Sequence, residues 1–125
     1  MSTIIFIYNA RSGKLNSLLD AAHKLISPKT YPCKLCALTY DTFAENAMWK
    51  KFRQETSLAL EFLHSDEFEA RYKNIKTTYP AIFLKNNHKI TEWISKSDIE
   101  SLASTDALIQ LIKLKEETMN FSNPD

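Results

Sequence analysis

Residues 3–9 read Thr-Ile-Ile-Phe-Ile-Tyr-Asn, apolar at four successive positions rather than alternating. A strand sends neighbouring side chains to opposite faces, so a run apolar throughout needs cover on both sides. This requirement predicts a central strand of a sheet with helices above and below it. A chain of 125 residues is long enough to supply that cover in one domain. The same run is far too short for a membrane span or a signal-peptide core, so a cytoplasmic protein without membrane contact is expected. The net charge of +1 lacks the basic excess of electrostatic nucleic-acid binding, and no nucleic-acid partner is expected.

The rest of the chain continues the alternation. Ser12-Gly13 opens a helical stretch whose stripe holds Leu15, Leu18, Leu19, Ala22, Leu25 and Ile26, and Ser27-Pro28 ends it. Residues 35–40 are expected as a second strand. Thr42 with Glu45 forms a capping-box pattern before a helix carrying Met48, Trp49 and Phe52. Residues 58–63 read as a third strand and 65–72 as a short helix. Strands at 81–84 and 90–94 flank a hairpin turn, and Ser97 with Glu100 opens the last helical region. The expected order is βαβαβαββα over residues 1–117, with 118–125 as a flexible tail. Such alternation implies an α/β fold with a mixed central sheet and helices on both faces.

That order, together with Tyr79-Pro80 directly before the fourth strand, resembles the thioredoxin-like superfamily over nearly the whole chain. The resemblance implies a three-layer sandwich and a cis-proline at Pro80; a flavodoxin-like sheet is the competing arrangement. His23-Lys24, Ser27-Pro28 and the segment Thr30-Tyr31-Pro32-Cys33-Lys34-Leu35-Cys36 also resemble a group of small bacterial proteins, a likeness that supplies no activity.

The resemblance expects a C-x-x-C after the second strand, facing the proline. Residues 39–43 stand there, and they contain no thiol. If 35–40 is extended, Cys36 lies roughly 13 Å from Tyr40 at about 3.3 Å per residue. The C-x-x-C would then sit at the opposite end of the sheet, where the topology also brings His23 and the hairpin residue His88. Two thiolates and two imidazoles make a closed tetrahedral zinc site, so Cys33, Cys36, His23 and His88 are candidate metal ligands. The alternatives are a redox-active dithiol and two packed, reduced thiols.

Parallel strands bind ligands at their carboxyl ends, which makes Arg11, Ser12, Asp41, His64 and Pro80 the candidate ligand-binding residues. Arg11 would hold an anion beside the helix start, and His64 would move protons near neutral pH. Glu61 must be paired if its strand is central, or face water if its strand is an edge. A phosphate-binding P-loop at Arg11-Ser12-Gly13-Lys14 is excluded by Tyr8 and Leu15, which replace its first glycine and its hydroxyl residue. The expectation is a non-enzymatic thioredoxin-like module that binds a protein or small molecule, with zinc as an optional structural metal. The alternative is a thiol–disulfide oxidoreductase using Cys33 and Cys36.

Overall fold

The computed structural model describes residues 2–11, 33–40 and 44–122. The expected first helix, with Ser12 and His23, lies outside them, as does Asp41. In chain order the elements are strand β1 (Ser2–Tyr8), helices α1 (Lys34–Thr39) and α2 (Ala47–Glu55), strand β2 (Ala59–His64) and helix α3 (Ser65–Arg71). Strands β3 (Ala81–Asn86) and β4 (Lys89–Ile94) follow, then helices α4 (Lys96–Glu100) and α5 (Thr105–Ser122). The last helix therefore runs through residues 118–122, which composition alone reads as tail. Among the described residues no helix is long and apolar enough to cross a membrane.

The four strands form one mixed sheet in the order β2-β1-β3-β4. β1 is parallel to β2 and antiparallel to β3, and β3 is antiparallel to β4. The uninterrupted apolar run of β1 is thus central, as its composition requires. Its side chains divide by parity. Ile4 and Phe6 enter a core with Leu35 and Leu38 of α1, Trp49 and Phe52 of α2, Ile99 of α4, and Leu108 and Ile112 of α5. Ile5 and Ile7 enter a second core with Leu63, Phe83 and Phe68 of α3. Helices therefore cover both faces. β2 is an edge, and Glu61 there receives a 2.8 Å bond from Arg71, which answers the question that its place in an apolar strand poses.

The stretch 35–40 is a correction: it is helical, not extended, up to Thr39. Leu35, Leu38 and Thr39 are its buried residues, spaced i, i+3 and i+4, which is one helix face. Two helix starts also differ from the capping patterns. Asn46 caps α2, with its Oδ1 accepting from Trp49 N at 3.1 Å, while Glu45 turns to Arg53. Ser95 caps α4 by accepting from Asp98 N at 3.2 Å. The β3–β4 turn is as expected, with Asn87 at φ 60°, a left-handed conformation that asparagine adopts more readily than most residues. The Tyr79-Pro80 bond is cis.

Candidate active site

Cys33 is the residue immediately before α1, and its Sγ accepts the N–H of Cys36 at 3.1 Å. The two cysteines are joined by a disulfide with a Cα–Cα separation of 5.2 Å, inside the usual range. A second N–H, from Asn9 just past β1, reaches the same Cys33 Sγ at 3.3 Å. This contact fixes which end of the sheet holds the pair: the carboxyl end of β1. Ile7 pairs with Ala81, so Tyr79-Pro80 arrives at that end too. Tyr8 pairs with His64, which brings the carboxyl end of β2 alongside.

Three of the expected ligand-binding residues, Arg11, His64 and Pro80, therefore share this end of the sheet with Cys33 and Cys36. Their contacts differ from the expectation. Arg11 lies 3.9 Å from the Glu69 carboxylate, which occupies the place an anion would take. His64 caps α3 with Glu67, whose Oε1 accepts the His64 backbone N–H at 2.7 Å and faces Nδ1 at 2.9 Å. Those bonds, the backbone one first, hold the Glu67 carboxyl below its usual value. Pro80 is buried.

The described residues do not bring the candidate zinc ligands together. Cys33 and Cys36 are bonded to each other, and His88 is at the opposite end of the sheet, in the turn beside the Ser2–Asn86 pair. Seven residue steps along β1 lead from Ser2 of that pair to Asn9, roughly 23 Å at about 3.3 Å each. His23 lies outside the described residues. Among the described residues no group of three or more His, Cys, Asp or Glu is arranged to hold a metal ion.

Further contacts tie together the elements around the disulfide. The Ala10 carbonyl accepts from the backbone N–H of Ser65 at 3.0 Å and from its hydroxyl at 3.3 Å, tying the loop after β1 to α3. Tyr79 donates its hydroxyl to Glu69 at 3.1 Å, tying the residue before Pro80 to the same helix. Burial, and then that carboxylate, push the Tyr79 phenol up to about 12. The Thr105 hydroxyl donates to the Leu38 carbonyl and anchors α5 on the last turn of α1. Tyr8 shares a hydrogen bond with Thr39, and its burial pushes the phenol well above the ordinary value, so it stays protonated. A groove of about 640 Å³ between α2 and α5 includes Met48, Phe52 and Ile109 in its lining, and none of its lining residues belongs to α1 or to the loops around the cysteines.

Beside Tyr8, Arg53 donates to both Glu45 oxygens at 2.9 Å. Glu45 is mostly shielded, at 16% side-chain exposure against 36% for Arg53. The Arg53 bond holds the Glu45 carboxyl below its usual range. A depressed carboxylate contributes stability that is complete above the unfolded-state value, about 4.3, and is lost as pH falls through the folded-state one. Glu45→Gln is expected to destabilise by about 1 kcal/mol at neutral pH. Its melting temperature should lie below that of wild type at pH 7, and the gap should close as the pH is lowered below 4. Thermal melts of both proteins across that range check this.

No protein-family model matches the chain, and neither a curated protein nor a solved structure is significantly similar to it.

Proposed function

We propose that the protein is a thioredoxin-like thiol–disulfide oxidoreductase working through Cys33 and Cys36. The observation that carries this reading is the disulfide at the start of α1, at the carboxyl end of β1 and the same end as Tyr79-Pro80. The preference for a binding module rests on an extended 35–40, which would carry the thiols to the far end of the sheet. With that stretch helical, its rise is about 1.5 Å per residue, and the pair stands at a helix start at the carboxyl end of β1, the first described strand rather than the second strand that the family resemblance expects. The strand order β2-β1-β3-β4, with β3 running against both β1 and β4, supports the same reading.

The chemistry follows from the sulfur contacts. Two backbone N–H groups already meet Cys33 Sγ, and a bond to an ionised group contributes about 1.5–3 kcal/mol. A thiolate formed there finds its donors in position, which offsets the desolvation that would otherwise raise its pKa. Such a sulfur is set to cycle.

The test is a redox titration. Wild-type protein equilibrated in dithiothreitol buffers and quenched by alkylation should pass from disulfide to dithiol as a two-electron couple above about −300 mV, the range of catalytic pairs. The reduced protein should also reduce insulin disulfides, and the Cys33→Ser/Cys36→Ser variant should not. A pair that stays oxidised well below that potential, or insulin reduction unchanged in the double variant, would return the chain to a binding module.

A further inference from the structure

We propose that Ser65 is a positioning residue for the sulfur chemistry: through the Ala10 carbonyl it holds the Asn9 N–H on Cys33 Sγ, and this second donor stabilises the Cys33 thiolate. The assignment rests on the oxidoreductase reading and names a residue outside the C-x-x-C that tunes the same pair.

The two donors on Cys33 Sγ differ in origin. The Cys36 N–H, at 3.1 Å, is local to the pair and comes with the first turn of α1. The Asn9 N–H, at 3.3 Å, comes from 24 residues away in sequence. Its aim depends on tertiary structure, so something must hold it.

One junction fixes both sides of Asn9. Tyr8, before it, pairs with His64 in the sheet. Ala10, after it, accepts the Ser65 backbone N–H at 3.0 Å and the Ser65 hydroxyl at 3.3 Å. His64 and Ser65 are the last residue of β2 and the first of α3. Glu67 locks the turn between them by accepting the His64 N–H at 2.7 Å. Ser65 is only 7% exposed, and a buried hydroxyl costs free energy unless it has a bond to make. The cap position of α3 belongs to His64, so the Ser65 hydroxyl serves the loop after β1 rather than its own helix.

The chemistry concerns the reduced state. A dithiol that reduces the pair gives up two electrons and two protons and closes its own disulfide. The electrons break the Cys33–Cys36 bond; one proton goes to Cys36 and the other to solvent, leaving Cys33 as a thiolate. Donors already aimed at the atom where charge develops stabilise it without reorganisation. They raise the fraction of Cys33 present as thiolate, the species that exchanges with disulfides, and they favour the reduced pair over the oxidised one.

The test uses Cys36→Ser, which leaves Cys33 as the sole cysteine and keeps the residue-36 N–H, titrated by ultraviolet thiolate absorbance. In that background, an α-hydroxy acid at residue 9 turns the Asn9 amide into an ester and deletes the one donor. It should raise the ionisation midpoint by about one pH unit, tenfold in thiolate stability. Ser65→Ala should shift the midpoint the same way by less, because its backbone N–H remains, and Ser65→Thr, which keeps a hydroxyl, should restore it. With both cysteines present, the ester and Ser65→Ala should make the redox potential more negative, by about 30 mV for a full tenfold loss. A merely structural role would lower the melting temperature of Ser65→Ala and leave its midpoint in place. An unmoved midpoint in the ester protein overturns the role of the Asn9 N–H, and equal midpoints in Ser65→Ala and Ser65→Thr overturn that of Ser65. Either arm gives its answer if a variant in the other fails to fold. The redox titration separates the two ideas. A pair that cycles with an unmoved midpoint sinks the positioning role alone; a pair that does not cycle sinks the oxidoreductase reading itself.

Discussion

Trp49→Ala is expected to cost about 3–5 kcal/mol, the range for a large aromatic removed from a closed core. Trp49 is fully buried where α2 meets the sheet. Its ring lies 5.4 Å from those of Phe6 and Phe52 and 6.3 Å from that of Phe62, so truncation leaves a cavity whose walls are themselves rings. A domain of this size is stabilised by about 5–15 kcal/mol in all, so the variant loses a large share of that. Trp49→Phe separates packing from polarity. Among the described residues the buried indole Nε1 has no hydrogen-bond partner, so phenylalanine sheds that donor while keeping most of the apolar volume. Urea unfolding followed by circular dichroism should place Trp49→Phe much nearer wild type than Trp49→Ala. Equal losses would mean that the indole nitrogen has a partner after all.

Phe68→Ala should cost a similar amount, about 3–5 kcal/mol, on the other face of the sheet. Phe68 is fully buried, with the rings of Tyr72 at 5.0 Å and Phe83 at 5.2 Å, and it is the buried aromatic by which α3 grips β3. The two aromatics belong to separate cores divided by β1. Their losses should therefore add to within about 0.5 kcal/mol when each single variant is compared with the double one. A sum that reaches the stability of the whole domain would leave the double variant unfolded, so the additivity is best measured with Trp49→Phe in place of Trp49→Ala. Because Ser65 and Glu69 of the same helix hold Ala10 and Tyr79, Phe68→Ala should also loosen the end of the sheet that carries the cysteines.

The parts of this fold legible in the sequence are those where one physical requirement dominates. Ile4 to Ile7 must be covered twice, and the 81–94 hairpin follows from two apolar runs around an asparagine pair. Residues 35–40 were ambiguous, because a six-residue apolar stretch satisfies both periods. The deciding feature was the cap. Cys33 does the work usually given to Ser, Thr, Asp or Asn, and a cysteine there carries no ordinary capping signal. That single element decides where the site lies: an extended 35–40 sends the C-x-x-C to the hairpin end beside His88, and a helical one leaves it against Asn9. Arg11, His64 and Pro80 share one end of the sheet because strand direction alone dictates it. Their salt bridge and cap are invisible without α3, whose Glu67 and Glu69 supply the partners.

The disulfide joins residues only three apart in sequence. A cross-link restricts the unfolded chain in proportion to the logarithm of the loop it closes, and for a loop of about four residues the chain-entropy contribution is roughly 2 kcal/mol, the low end for such bonds. The sheet and the second core contain neither cysteine, whereas Cys33 belongs to the first core and caps α1. The cross-link therefore contributes little to the fold beyond what the two cores supply, and cycling of the pair as proposed above would cost the domain no more than about that amount.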